Sequence, residues 1–434
     1  MNARIGIVRQ TSLTSRYMLQ LRASLCALAV FVLTVCAPIG LRAEPAAASL
    51  SLANVLSRIS TVHPQMQRAR AEVEASRQQL EGARWGRFPT FTVGAFGGDG
   101  VSTAGSLRVQ QPVYTFGRID HAIDAAQASL EANASGIDAT RRALIERAAL
   151  AYARWLSGLQ QLELAERHVA RQRELLDFIA RRADGGLAAR GDTRLAQGRL
   201  DQARAREASL RATVSQARSE LESLMLQKID SKPVQPLLPP MTASNAEALA
   251  AAFIDASPGL ARLAGQQRAA SAEASLKGAD RLPTLVARVE RSPSLLTSHY
   301  DTRALLAVDY QSGAGLSTQA EYLARLSRVD ALRADAEAQR RELEFVASAI
   351  WLQRATLVEQ KESIDGLVAS SVDTVESFMR QFDAGRRSWL DVLNAERELF
   401  DARLARAQID AGLLDAALRI HAGTGLLDGW ALKP

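Results

Sequence analysis

Cysteine is almost missing from this 434-residue chain: its two copies, Cys26 and Cys36, both lie before Ala43. The rest of the chain therefore cannot use disulfide staples, thiolate metal centres or cysteine nucleophiles. Aromatic residues make up only 5% of the chain. That is thin for several thick globular cores, although the length would accommodate two or three domains of ~150 residues. After Ala43 no charge sign dominates any stretch. Lys and Arg number 53 against 47 Asp and Glu; five of the six net charges are arginines before Glu44, and the rest is mixed in sign, without the clustered basic patch of a nucleic-acid surface. The five histidines, His63, His121, His168, His299 and His421, are scattered without ligand spacing. A Walker loop, a dinucleotide glycine pattern and a nucleophile elbow are all lacking. Enzyme chemistry, a metal centre, a cofactor and nucleic acid are therefore not expected, and any energy must come from a partner. After Ala43 no apolar run reaches the ~20 residues of a membrane-crossing helix.

What is present begins with a targeting pattern. Arg4, Arg9, Arg16 and Arg22 precede the first acid, Glu44; an apolar stretch runs from Leu25 to Gly40, and Ala43 offers a small residue for cleavage. A basic start, a short apolar run and a small cleavage residue define a secretory signal over residues 1–43. Starting at Met18 would give a signal of more ordinary length. Val35 stands where a lipoprotein signal carries a small residue, which argues against a lipid on Cys36.

The remainder reads as one plan written twice. Pro64 and Pro89 are separated by the same interval as Pro258 and Pro283, with an Ala-rich helical segment between each pair. After Pro89 and Pro283 the period changes to alternation, in "PTFTVGAF" and "PTLVARVE", which reads as strand. Loops "GGDGVSTAG" and "RSPSLLTSHYD" lead to second strands, "SLRVQQPVY" and "TRALLAVDY". Helical periodicity restarts at Gly117 and Gly315. The segment from Gly117 to Asp184 would extend ~100 Å as a helix, with a coiled-coil-like seam through Trp155, Leu159, Leu162, Val169 and Leu176. The organisation expected is a first repeat over 44–231, a Pro-rich linker over 232–244, a second repeat over 245–426 and a tail over 427–434.

Four strands of about nine residues with one apolar face are long enough to cross a bilayer when tilted. Four cannot close a barrel, because the smallest membrane barrels have about eight, and open edges are not tolerated in lipid. Either the strands form a small soluble β-domain, or several chains share one barrel.

The duplicated plan, the stretch "VQQPVYTFGRIDHAIDAAQASL" and the stretch "DAGRRSWLDVLNAERELFDARL" together resemble the TolC-like outer-membrane channel family over about residues 50–426. The resemblance implies a mainly α fold with membrane β. Three copies would share a twelve-stranded transmembrane β-barrel that continues into a trimeric α-barrel tunnel of long helical hairpins. It implies a homotrimer in outer-membrane lipid, with a long periplasmic extension. It also implies docking on a periplasmic adaptor and on an inner-membrane ABC or proton-driven transporter. The expected role is a passive duct for type I protein secretion, toward which the "WLDVLNAERE" stretch leans, or for drug or metal efflux. A periplasmic coiled-coil scaffold without a pore is the rival from another class.

By the same resemblance, Gly186 to Asp192 and Gly385 to Asp391 are the turns of two helical hairpins at the periplasmic mouth. Asp192, Asp391 and Asn394 fall on positions that line the closed entrance, and Arg387 falls on a latch position. Asn394 departs from the aspartate that some relatives carry there. Trp389 is large for a turn; an adaptor contact is expected there, with plain packing as the close alternative. Under threefold symmetry each inward-facing residue becomes a ring, and carboxylate rings select cations. An aspartate in the first turn also simply suits the positive end of a helix.

Overall fold

The computed structural model describes residues 49–431, apart from 99–100, 242, 294–298 and 311–312. The expected signal over 1–43, Cys36 and the last three residues lie outside the described set.

Two repeats follow one another. The first is α1 (Leu52–Val62), α2 (Pro64–Trp85), β1 (Thr90–Gly98), β2 (Val101–Tyr114), α3 (Arg118–Asp184) and α4 (Arg190–Met225). The second is α5 (Ala246–Asp255), α6 (Pro258–Ala279), β3 (Thr284–Pro293), β4 (Tyr300–Asp309), α7 (Ser317–Asp383) and α8 (Trp389–Gly423). A short α9 (Asp428–Ala431) closes the described chain. α2 and α6 both have 22 residues, and α3 and α7 both have 67, so the duplication is metric as well as topological. Pro64 and Pro258 stand at the first helical positions, where a missing N–H costs nothing.

The strands pair in the order β1-β2-β3-β4, all antiparallel. They run longer than alternation predicts. β2 begins at Val101 and β3 continues to Pro293, so the expected loop "GGDGVSTAG" is strand in all its described residues, and "RSPSLLTSHYD" is strand at both of its ends. Backbone pairing carries on through Ala95↔Gly105 and Gly98↔Val101. Main-chain hydrogen bonds do not depend on the side-chain alternation that reveals a strand to a sequence reader.

The main core gathers on the middle of α3. Leu144, Ile145, Tyr152 and Trp155 pack with Leu56 and Ile59 of α1, Leu221 of α4 and Leu418 of α8. Tyr152 is fully buried, and its hydroxyl accepts the Val234 N–H at 2.7 Å while lying 2.7 Å from the Leu50 carbonyl oxygen. It thereby ties the linker to the segment entering α1, where Leu50 and Pro233 form a parallel bridge. The expected tail is not loose: the Ser60 hydroxyl donates to Ala431 O at 3.1 Å, and Leu427 and Ala431 join the core. Alanine and glycine set the helix spacing. A Cβ on Gly265 of α6 would stand 2.8 Å from the Ala132 backbone of α3, so these helices approach more closely than larger residues would allow.

α3 and α7 differ in burial. α3 carries 19 buried residues and α7 only four, at equal length. On α7, Phe345 is 68% and Leu352 is 64% exposed.

Candidate functional site: the hairpin tips and the sheet

α3–α4 and α7–α8 are the two long hairpins, and their turns are built alike. Gly186 has φ 74° and Gly385 has φ 70°, the left-handed conformation that glycine adopts without steric cost. Around them the Leu187 N–H donates to Arg182 O at 2.8 Å and the Gly186 N–H to Ala183 O at 3.0 Å. At the second tip Arg386 donates to Gln381 O at 2.8 Å and Gly385 to Phe382 O at 3.0 Å. This paired pattern satisfies the last carbonyls of each outgoing helix and reverses the chain.

The returning helices begin differently. α8 is capped by Ser388, whose hydroxyl accepts the Asp391 N–H at 3.2 Å. α4 starts after Ala189, which has no side-chain acceptor; instead Asp192 Oδ2 accepts the Ala189 N–H at 3.3 Å. Asp192 is thus engaged by the backbone. Asp391 has its carboxylate 3.9 Å from Arg387 Nε, and the Arg387 guanidinium also lies over Phe378, 3.8 Å from the ring centroid.

Across the hairpins, Asn394 Oδ1 accepts from Arg199 at 3.2 Å. Arg199 was not singled out from the sequence. The signal available was its place seven residues, two turns, beyond Asp192 on the same helix, but its partner could not be read from that spacing. Two further ties join the hairpins. Arg182 reaches Asp383 at 3.5 Å, and Arg171 Nε reaches Glu396 Oε1 at 2.7 Å with the Glu396 side chain only 6% exposed. His168 stacks on Phe400 with ring centroids 4.1 Å apart, and burial lowers its pKa to about 4 against the opposing pull of Asp401.

Of the two expectations for Trp389, adaptor contact and packing, the chain itself displays packing. Its indole is 2% exposed and sits among Leu175, Ile179, Val392 and Leu393, with Phe382 and Phe178 at 5.0 Å and 6.0 Å. A large residue at the turn is explained by the need to fill the space where both hairpins meet. The structure sets Asp391 beside Arg387 at the second tip, and Asn394, three residues further along α8, is tied instead to Arg199 of the first hairpin. Asp192 occupies the corresponding position on the other hairpin.

The sheet is two-faced. Phe91↔Val109↔Val289↔Ala304 forms one cross-strand row, and Thr92↔Arg108↔Glu290↔Arg303 forms the neighbouring row on the opposite face. The first face continues through Val93, Leu306 and Val308, all exposed. The second carries ion pairs, Arg108 to Glu290 at 3.0 Å and Arg288 to Asp309 at 2.8 Å. β1 and β4 are the sheet's two edge strands. Among the described residues no helix is long and apolar enough to cross a membrane, and no cluster of three or more His, Cys, Asp or Glu could hold a metal ion.

Comparison with known proteins agrees with this architecture. Residues 55–225 match the family described as outer membrane efflux protein. The alkaline protease secretion protein AprF of Pseudomonas aeruginosa is 27% identical over 339 residues, covering 74% of this chain and 70% of AprF. Among solved structures, the outer-membrane channel OprN superposes with a TM-score of 0.75 at 18% identity, covering 88% of this chain and 90% of OprN. The outer membrane protein VceC of Vibrio cholerae superposes with a TM-score of 0.74 at 14% identity, covering 86% of this chain and 96% of VceC. With its duplicated hairpins and four-stranded sheet the chain has the fold of these outer-membrane channels, and its residues 55–225 are similar to the outer membrane efflux protein family.

Proposed function

We propose that the protein is the outer-membrane exit duct of a tripartite export system, a passive channel and not an enzyme. Three copies share one twelve-stranded barrel, and their hairpins continue as a tunnel through the periplasm to an adaptor and an inner-membrane transporter. The observation that carries this reading is the sheet: one exposed apolar face, one charged face and two edge strands. A sheet cannot stand in lipid with open edges. Shared closure gives each edge a partner, turns the apolar face to lipid and the ion-paired face to a lumen. The exposed apolar residues of α7 call for the same neighbour.

Type I protein secretion is the favoured cargo route, supported by the likeness to a protein named for protease secretion. The efflux reading is favoured by the family description itself. At the mouth, Asp391, Asn394 and Arg387 form the constriction, with Asp192 beside them.

The absence of cysteine after Ala43 makes the test clean. Cysteines placed along β1, paired with Leu306→Cys on β4, should crosslink between chains into trimers in the outer-membrane fraction. A stable membrane-inserted monomer, or a soluble periplasmic monomer as the scaffold reading requires, overturns the proposal. For the cargo, a deletion strain that loses a secreted protein while keeping its drug and metal tolerance supports secretion. The reverse outcome supports efflux.

A further inference from the structure

α3, α4 and α8 enclose a cavity of about 400 Å³, within the range of roughly 300–1,000 Å³ that small-molecule sites occupy. The stacked rings of His168 and Phe400 form part of its lining. Three arginines also line it, Arg199 and Arg206 from α4 and Arg397 from α8. Among the described residues none of the three has a carboxylate within ion-pair distance, whereas Arg171, Arg204 and Arg211 on α3 and α4 each do. Asp401 is the one acid in the lining. His168 adds no charge at neutral pH, because burial holds its pKa at about 4.

Exposed arginines alone say little, since water solvates a guanidinium, and Arg206 and Arg397 are exposed. Two buried atoms give the cavity its chemistry. Arg199 donates to Gln202 and to Asn394, each at 3.2 Å, and its Nε–H is buried without an acceptor. Gln172 is 2% exposed, and its Oε1 is buried without a donor. An unpaired donor and an unpaired acceptor thus line one cavity without meeting each other. Buried polar groups left unpaired are costly, so a ligand that satisfies both is favoured over one that is apolar or only anionic.

We infer that this cavity binds hydrogen phosphate, with its ionised oxygens on Arg199 Nε, Arg206 and Arg397 and its P–OH donating to Gln172 Oε1. Guanidinium groups match phosphate oxygens in geometry and charge. Sulfate and carboxylates have no proton left to donate at neutral pH. Inorganic phosphate keeps at least one O–H there, whereas a phosphomonoester, with a second pKa of about 6, has mostly lost it. Asp401, exposed at the same cavity, repels a fully ionised oxyanion and favours a protonated one. The site lies within one chain, so it stands whether or not three chains close a channel. Because Arg199 also holds Asn394, an occupied site fixes the guanidinium that ties the two hairpins together.

Isothermal titration calorimetry of the purified full mature chain at pH 7 tests this, with inorganic phosphate, sulfate and glycerol phosphate as probes. Phosphate should bind once per chain and more tightly than either comparison ion, and the melting temperature should rise with its concentration. R206Q and R397Q change exposed side chains and should leave the fold intact, while each weakens phosphate binding about ten-fold through the loss of a charge-assisted bond. Q172M keeps the side-chain length without the acceptor. It should weaken phosphate and leave sulfate unchanged, so the preference between them falls. The absence of saturable binding, or parent-like binding in both arginine variants, which marks an adventitious ion only, overturns the site. Sulfate or glycerol phosphate binding as tightly as phosphate, or an unchanged preference in a folded Q172M protein, overturns hydrogen phosphate as its ligand. None of these results bears on the export reading, which the crosslinking experiment tests separately.

Discussion

Arg199 donates to Asn394 Oδ1 across 3.2 Å, joining the helix that leaves the first tip to the helix that leaves the second. The bond spans 195 residues of sequence and places the amide of the proposed constriction under the control of the neighbouring hairpin. Asn394→Ala should free the two tips from each other. In planar bilayers the resting conductance should rise, with trimer assembly intact. Asn394→Asp should do the opposite, because a carboxylate adds ion pairing to the bond from the guanidinium. Equal conductance in parent, Ala and Asp variants would remove this bond from the gate.

Asp192 and Asp391 occupy matching sites but answer to different partners, so their alanine variants should separate. Asp192 holds the Ala189 N–H, and its loss should cost about 0.3–1 kcal/mol at the helix start with little change in ion flow. Asp391 lies beside Arg387. Asp391→Ala should weaken cation selectivity and block by divalent cations, and Arg387→Ser should raise resting conductance. Single-channel recordings of the three variants decide whether the aspartates are a ring or only helix starts.

Arg171 and Glu396 meet at 2.7 Å, with the glutamate side chain almost fully enclosed. Arg171→Ala leaves that carboxylate buried without its partner and should destabilise the tip by about 2–4 kcal/mol. Glu396→Leu removes the charge along with the bond and should cost less. Thermal unfolding of the purified protein gives the order, and equal losses would contradict the burial argument.

Trp389 fills the space between hairpins, so Trp389→Ala should cost about 3–5 kcal/mol through the cavity it leaves and expose the tips to protease. A residue serving only as a surface contact would lose partner binding and keep its protease resistance.

Stability should also depend on pH through His168. Its folded pKa, about 4, lies below the ordinary 6.5, so between these values the unfolded chain binds more protons than the folded one. The stabilisation is therefore complete above pH 6.5 and is lost as pH falls toward 4. His168→Phe keeps a ring against Phe400 and should flatten this part of the profile of melting temperature against pH.

Much of this protein is legible residue by residue. The Pro64 and Pro258 starts, the Gly186 and Gly385 reversals and the seam through Trp155 and Val169 are local properties, set by backbone preference and by which residues recur every three or four positions. Duplication made them readable twice, and strand alternation against a shortage of apolar helices pointed to a shared barrel. The tertiary structure decided which faces meet. The phase at which α4 passes α8 places Arg199 on Asn394; the same convergence encloses Trp389, for which the turn sequence left contact and packing open. Strand length likewise came from pairing, since Gly105 and Val101 extend the sheet through partners on the adjacent strand. Periodicity is written within an element, whereas a contact between elements depends on where two long helices have rotated to when they touch.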